Sequence, residues 1–143
     1  MAITIVKADV KRKLMIPSSD TSYDTSIDSL ISETQPALEY GIEPSYLADT
    51  GNAGLQATLK LGILEVISGE FLEQLFREAG STEEFSIAGL TFGERNQRGA
   101  DLIQQGSERL APYAKTQAEA AVETQIASTT LDSDRTLADC STW

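Results

Sequence analysis

The chain has 143 residues, 41% of them hydrophobic, and a formal net charge of −11, which suits one modest domain with an appended tail. It holds no histidine and a single cysteine, Cys140, which excludes an internal disulfide, a Cys/His zinc site and any Cys–His or Ser–His–Asp nucleophile within the chain. The excess of carboxylates argues against ordinary binding to nucleic-acid phosphate.

The start, MAITIVKADVKRKL, places its basic residues after the apolar ones, the reverse of a secretory signal. No apolar run approaches the roughly 20 residues needed to span a bilayer. The expectation is a cytoplasmic protein without membrane contact. A first short helix is expected from Lys7 to Met15, because Val6, Val10 and Leu14 recur every four residues, and Pro17 stops it. Lys7, Lys11, Arg12 and Lys13 concentrate positive charge there. They read either as a solvated helix face or as a contact to DNA or to an acidic neighbouring subunit.

A second helix opens near Thr21 and Asp24, a weak relative of the capping box, and carries Tyr23, Ile27, Leu30, Ile31 and Leu38 on one stripe. Pro36 should kink or fray it near Ser32 to Gln35, and Gly41 and Pro44 end it. Asp20, Asp24 and Asp28 repeat every four residues near its start, where negative charge suits the helix dipole better than a cation site. The third and longest helix is expected from Ala53 to Glu78 with Asn52 as its cap. Leu55, Leu59, Ile63, Val66 and Ile67, then Leu72, Leu75 and Phe76, form its stripe. Ser68-Gly69 offers a bend, Gly62 suits either a tolerated glycine or a close helix approach, and Ala79-Gly80-Ser81 closes the helix.

Glu84–Gly93 is the one segment with strand-like alternation: Phe85 and Ile87, a possible turn at Ala88-Gly89, then Leu90 and Phe92. A lone two-stranded hairpin is marginal in water, so it needs something to pack on or pair with, such as the same hairpin of a neighbouring copy. A polar loop with Arg95 and Arg98 leads to a fourth helix from Ala100 to Tyr113, with Leu102, Ile103, Leu110 and Tyr113 as its apolar contacts and Pro112 near its end. Beyond Ala114 the chain is helix-permissive, with a thin stripe of Ala118, Val122 and Ile126. From Ser128 no periodicity remains. That suits either disorder or an arm that orders on a partner with Trp143 as anchor.

The fold class expected is therefore mainly α, a small bundle of about four helices over residues 1–113 with a hairpin at 84–93, followed by an extended C-terminal helix or arm over 114–143. No phosphate loop, dinucleotide fingerprint, zinc spacing or calcium loop is present. No catalytic, cofactor-binding or metal-ligating set is assigned, and an enzyme is not expected.

This order of elements, with Asp20…Tyr23…Ile27-x-x-Leu30-Ile31…Leu38-Glu39-Tyr40, resembles the small head–tail connector proteins of tailed bacteriophages, also called adaptors or head-completion proteins. The likeness covers Val6 to Tyr113. It implies a non-enzymatic ring, typically a dodecamer, docked beneath the portal protein, continuing the DNA exit channel and receiving a neck or tail-completion protein below. Its place would be the head–tail junction of the virion, and the host cytoplasm during assembly. The C-terminal helix and tail of such proteins commonly reach into the portal, which implies docking through Leu110, Tyr113, Val122, Ile126 and Trp143. Phe85, Ile87, Leu90 and Phe92 would then meet their equivalents between subunits, and Lys7, Lys11, Arg12 and Lys13 would contact acidic surfaces of adjacent subunits. An acidic wall passes DNA without gripping it. The alternatives are a neck or tail-completion protein, or a small acidic helical binding module such as a regulator or DNA mimic.

Overall fold

A computed structural model describes residues 3–78, 85–87, 90–92 and 98–116. The chain is mainly helical there, as expected: α1 (Lys7–Lys13), α2 (Asp24–Gly41), α3 (Pro44–Ala48), α4 (Ala53–Glu78) and α5 (Arg98–Leu110), the last running into a 3-10 turn at Ala111–Tyr113. Two three-residue strands, β1 (Phe85–Ile87) and β2 (Leu90–Phe92), pair antiparallel in the register Phe85 to Phe92, Ser86 to Thr91 and Ile87 to Leu90. The expected stop at Ala79-Gly80-Ser81, the turn at Ala88-Gly89 and the arm residues Val122, Ile126 and Trp143 lie outside the described residues.

α4 is the axis of the molecule. Leu59, Ile63, Ile67, Phe71 and Leu72 are buried, and so is every residue from Gly62 to Gly69. A helix buried on so much of its circumference needs partners on several sides, and α1, α2 and α5 supply them. Its start is fixed by Asn52, whose Oδ1 accepts the Leu55 N–H at 3.1 Å. Gln56 Nε2 donates to the carbonyls of Tyr46 and Asp49, at 3.0 and 2.9 Å, and so ties α3 down. No break occurs at Ser68-Gly69.

Gly69 serves packing instead. A Cβ built on it would lie 2.5 Å from the Gly99 carbonyl oxygen and 2.9 Å from the Ile103 nitrogen. One built on Gly106 would lie 2.6 Å from the Gly62 carbonyl oxygen and 2.9 Å from the Val66 nitrogen. Gly62 and Gly69 on α4 and Gly99 and Gly106 on α5 are each seven residues apart. Two such pairs bring the antiparallel helices into backbone contact over about two helical turns. α5 therefore starts at Arg98, earlier than expected, because Gly99 belongs to this seam.

The N-terminal segment completes the core. Ile3 and Ile5 are buried ahead of α1 together with Val10, Leu14 and Ile16, and Gln35 Nε2 donates to the Ile3 carbonyl. α1 ends two residues before Met15. The Ile16 N–H reaches the Lys11 carbonyl at 2.8 Å and the Met15 N–H reaches Arg12 at 3.3 Å, while Met15 takes φ 58°. This is the glycine-type C-terminal cap made with methionine.

α2 runs through Pro36 without ending, against the expected fray. The expected Thr21 side-chain cap is not made either. The Asp20 carboxylate accepts the Ser22 N–H at 3.0 Å and turns the chain just before the helix. α3 was not anticipated, although proline at its first position is a usual helix start.

Candidate interaction surfaces

Three groups of residues carried functional expectations: the basic cluster, the strand pair and the C-terminal docking set. The basic cluster closes largely on the chain's own carboxylates. Lys7 Nζ lies 3.4 Å from Asp24 and 3.3 Å from Asp28. Lys11 pairs with Asp24 and donates to the Asp20 carbonyl at 2.6 Å. Arg12 meets Asp9 at 2.7 Å, and Lys13 meets Glu65 at 3.1 Å. The two four-residue ladders visible in the sequence, Lys7/Lys11 and Asp24/Asp28, thus face each other across α1 and α2. The Asp24 and Asp28 carboxylates pair with these lysines. This corrects the reading of all four basic residues as inter-subunit contacts: Lys11 and Lys13 are taken up inside the chain. Only the Lys7 and Arg12 side chains keep large exposure, 44% and 78%.

Two buried carboxylates organise this corner. Glu65 on α4 receives Lys13 from α1 and, from α5, Arg109 through Nε at 3.0 Å and a guanidinium nitrogen at 3.3 Å. Burial pushes the Glu65 carboxyl up, but the hydrogen bonds from Arg109 and Lys13 outweigh it, so the group titrates below its usual range. Asp9 behaves alike: burial opposes its charge, while Lys60 at 3.1 Å, the Val6 N–H and Arg12 hold it ionised. Asp24 is lowered chiefly by its hydrogen bond with Lys11. A cleft of about 380 Å³ remains beside α1, lined by residues of α1 together with Ile16, Ser18 and Asp24.

The C-terminal docking set divides. Leu110 is not a surface residue: it belongs to the core and packs over Gly62. Tyr113 is half-buried and stands edge-on to Tyr46, ring centroids 5.2 Å apart. The Leu110 assignment is corrected accordingly, because a side chain buried in its own core is not free to anchor a partner. The exposed large apolar residues of this end are Tyr40, at 79%, and Tyr46, at 38%. After the 3-10 turn the chain is clamped along the end of α2. The Glu43 N–H donates to the Tyr113 carbonyl at 2.9 Å, and the Lys115 N–H donates to Gly41 at 3.0 Å. These bonds flank an antiparallel bridge between Ile42 and Ala114. Lys115 Nζ sits 3.9 Å above the Tyr40 ring. The root of the arm is therefore fixed beside an aromatic surface. The signal for that surface was present as Tyr40, Tyr46 and Tyr113, but sequence spacing does not say which tyrosines turn outward.

Phe85, Ile87, Leu90 and Phe92 lie in β1 and β2 at paired register positions, and their role between subunits belongs to the proposal below. Among the described residues, no group of three or more acidic, cysteine or histidine side chains is arranged to hold a metal ion, and no helix is long and apolar enough to cross a membrane. No family model, curated protein or solved structure matches the chain.

Proposed function

We propose that the chain is a structural virion protein, a head–tail connector of a tailed bacteriophage that forms a ring beneath the portal protein. It extends the DNA channel, passes DNA without binding it specifically and offers the attachment site for a neck or tail-completion protein. The observation that carries the reading is the rooted arm. A helical body built around the glycine-packed α4 and α5 delivers its C-terminal segment from one clamped point, at Lys115, beside the exposed Tyr40 and Tyr46. A rigid body with an arm leaving from a defined place suits a protein whose work is to join two others. Exposed tyrosines are among the side chains that dominate interface energetics. The order of elements and the acidic balance of the chain agree with the same reading.

On this proposal Tyr40 and Tyr46 take over the docking role at the arm's root, and Val122, Ile126 and Trp143 remain the arm's own anchors. β1 and β2 pair or pack with their equivalents around the ring. The test is mass photometry of the chain alone and mixed with a portal protein. Rings, or assembly on the portal, are expected. A chain that stays monomeric and ignores the portal would sink the reading, and competition with DNA for a DNA-binding protein would move the assignment to an acidic mimic.

A further inference from the structure

The four exposed large apolar side chains of the described residues fall into two pairs of opposite electrostatic setting. Val6 (48% exposed) and Met15 (77%) flank α1, next to the exposed heads of Lys7 and Arg12 and their cleft. Tyr40 and Tyr46 alternate along the chain with Glu43 and Asp49, all exposed and all three residues apart. Neither of those carboxylates joins an ion pair among the described residues.

The two patches lie at different ends of α2. α1 is paired to Asp24 and Asp28, and Tyr40 follows Asp28 by twelve residues, about 18 Å along a helix axis. The charge is equally divided. Six of the eleven basic residues, Lys7, Lys11, Arg12, Lys13, Lys60 and Arg109, gather around α1, while the chain as a whole carries 22 acidic ones. Asp9, Asp24, Asp28 and Glu65 pair with all six, so what the α1 corner shows to solvent is apolar Val6 and Met15 beside the exposed Lys7 and Arg12 side chains. The other corner shows Tyr40 and Tyr46 beside two carboxylates, with Lys115 over one face of Tyr40.

We infer that these corners are the two halves of a front-to-back contact between copies of this chain: Val6, Lys7, Arg12 and Met15 of one against Tyr40, Glu43, Tyr46 and Asp49 of the next. The patches differ, so the contact is heterologous and repeats, giving a ring where the rotation closes. Complementary rims fix the register, and the apolar and aromatic centres supply the burial. Arg12 meets the face of Tyr40 that Lys115 leaves open. Duplex DNA is a poorer occupant of the cationic corner. The cleft holds Asp24 and offers only two exposed cationic side chains, both already paired within the chain, whereas a phosphate backbone asks for a row of them. The inference rests on the ring reading above only in needing copies to associate.

The experiment is charge exchange on the full chain, followed by sedimentation at low salt. The wild type self-associates, and less so as salt rises. Lys7→Glu with Arg12→Glu, or Glu43→Lys with Asp49→Lys, weakens association at least about tenfold. A chain carrying all four reversals recovers it. Because Lys7 and Arg12 also make pairs within the chain, Met15→Asn and Tyr40→Ser repeat the test without touching an ion pair, and circular dichroism checks the helices. Association that ignores the reversals, a monomeric wild type, or DNA binding that depends on Lys7 and Arg12 would each overturn the contact. Reversed chains that still dock on a portal protein would leave the connector reading standing.

Discussion

Along α4 the seam with α5 is made of backbone, whereas the seam with α1 is tied by side-chain charge. Gly62, Gly69, Gly99 and Gly106 bring the two helix backbones close together, so much of the fit is fixed by covalent geometry. On the other side Lys13, Glu65, Asp9 and Lys60 hold α1 through atoms that can rotate, be protonated or be screened. The glycine contacts of the first seam should respond to volume and ignore pH, apart from the single Glu65–Arg109 pair that also crosses it. The second should respond to pH and salt and tolerate changes of shape.

The sharpest way to break that contrast is Gly106→Ala. The new Cβ would meet backbone on α4, 2.6 Å from the Gly62 oxygen and 2.9 Å from the Val66 nitrogen, and backbone cannot rotate away. A loss of about 3 kcal/mol is expected, at the upper end of overpacking costs. Gly62→Ala sits on the same seam but meets the Leu110 side chain at 2.7 and 2.8 Å, with its nearest backbone atom at 3.3 Å. Leu110 can shift, and alanine gains about 1 kcal/mol of helix propensity over glycine, so this change should be close to neutral. Urea unfolding of the two variants decides. Equal losses would mean that the seam is not set by backbone contact.

Glu65→Gln probes the charged contacts, which reach α1 through Lys13 and α5 through Arg109. Its two cationic partners keep water, with 29% and 38% of their side-chain surfaces exposed, so a loss of about 2 kcal/mol is expected, less than for a fully buried pair. Glu65, Asp9 and Asp24 are all held below their usual range in the folded state. Their contribution is therefore complete above the unfolded carboxylate range, near pH 4. It is lost as pH falls through the lower folded values. Wild-type stability should be level through neutral pH and decline below about pH 4, and Glu65→Gln should flatten that acid limb. Gly106→Ala should lower the whole curve without changing its slope. An unchanged acid limb in Glu65→Gln would remove the charged seam from the account.

Ser68 belongs to neither seam type. It is fully buried, and its hydroxyl has no hydrogen-bond partner among the described residues. Ser68→Ala removes a desolvated polar atom with little change in volume and should stabilise by about 1 kcal/mol. A loss instead would show that the hydroxyl has a partner on folding.

Much of this was legible beforehand, and the contrast explains which part. The α4 stripe and its Asn52 cap follow local rules, periodicity and hydrogen-bond chemistry, that act within one helix. The glycine seam is only half local: Gly62 suggests room but cannot name Gly106 as the residue that fills it. Phe71, among the largest buried side chains and edge-on to Tyr23 at 5.8 Å, lay outside the expected stripe because α4 is buried on several sides. The Lys7/Lys11 and Asp24/Asp28 ladders were both readable, yet their pairing depends on how α1 folds back on α2. At the candidate surfaces the same limit decides. Leu110 turns inward over Gly62 and Tyr40 lies under Lys115, partners far apart in sequence, so local spacing shows neither orientation.

The end of α1 sharpens the comparison at its smallest scale, because there a single backbone angle does what charge does elsewhere. Met15 takes φ 58° so that the chain can leave the helix and bring Ile16 into the core. A side chain in that region costs about 1 kcal/mol, and glycine would not incur it. Glycine also leaves the unfolded chain freer, which returns roughly half of the gain, so Met15→Gly should stabilise by about 0.5 kcal/mol. The Met15 side chain is 77% exposed, so little packing is lost with it. A thermal shift read at neutral and acid pH separates the effects: a backbone gain is the same at both, while the α1 ion pairs weaken only in acid. Destabilisation by Met15→Gly would mean that the methionine side chain, and not the cap geometry, holds this turn.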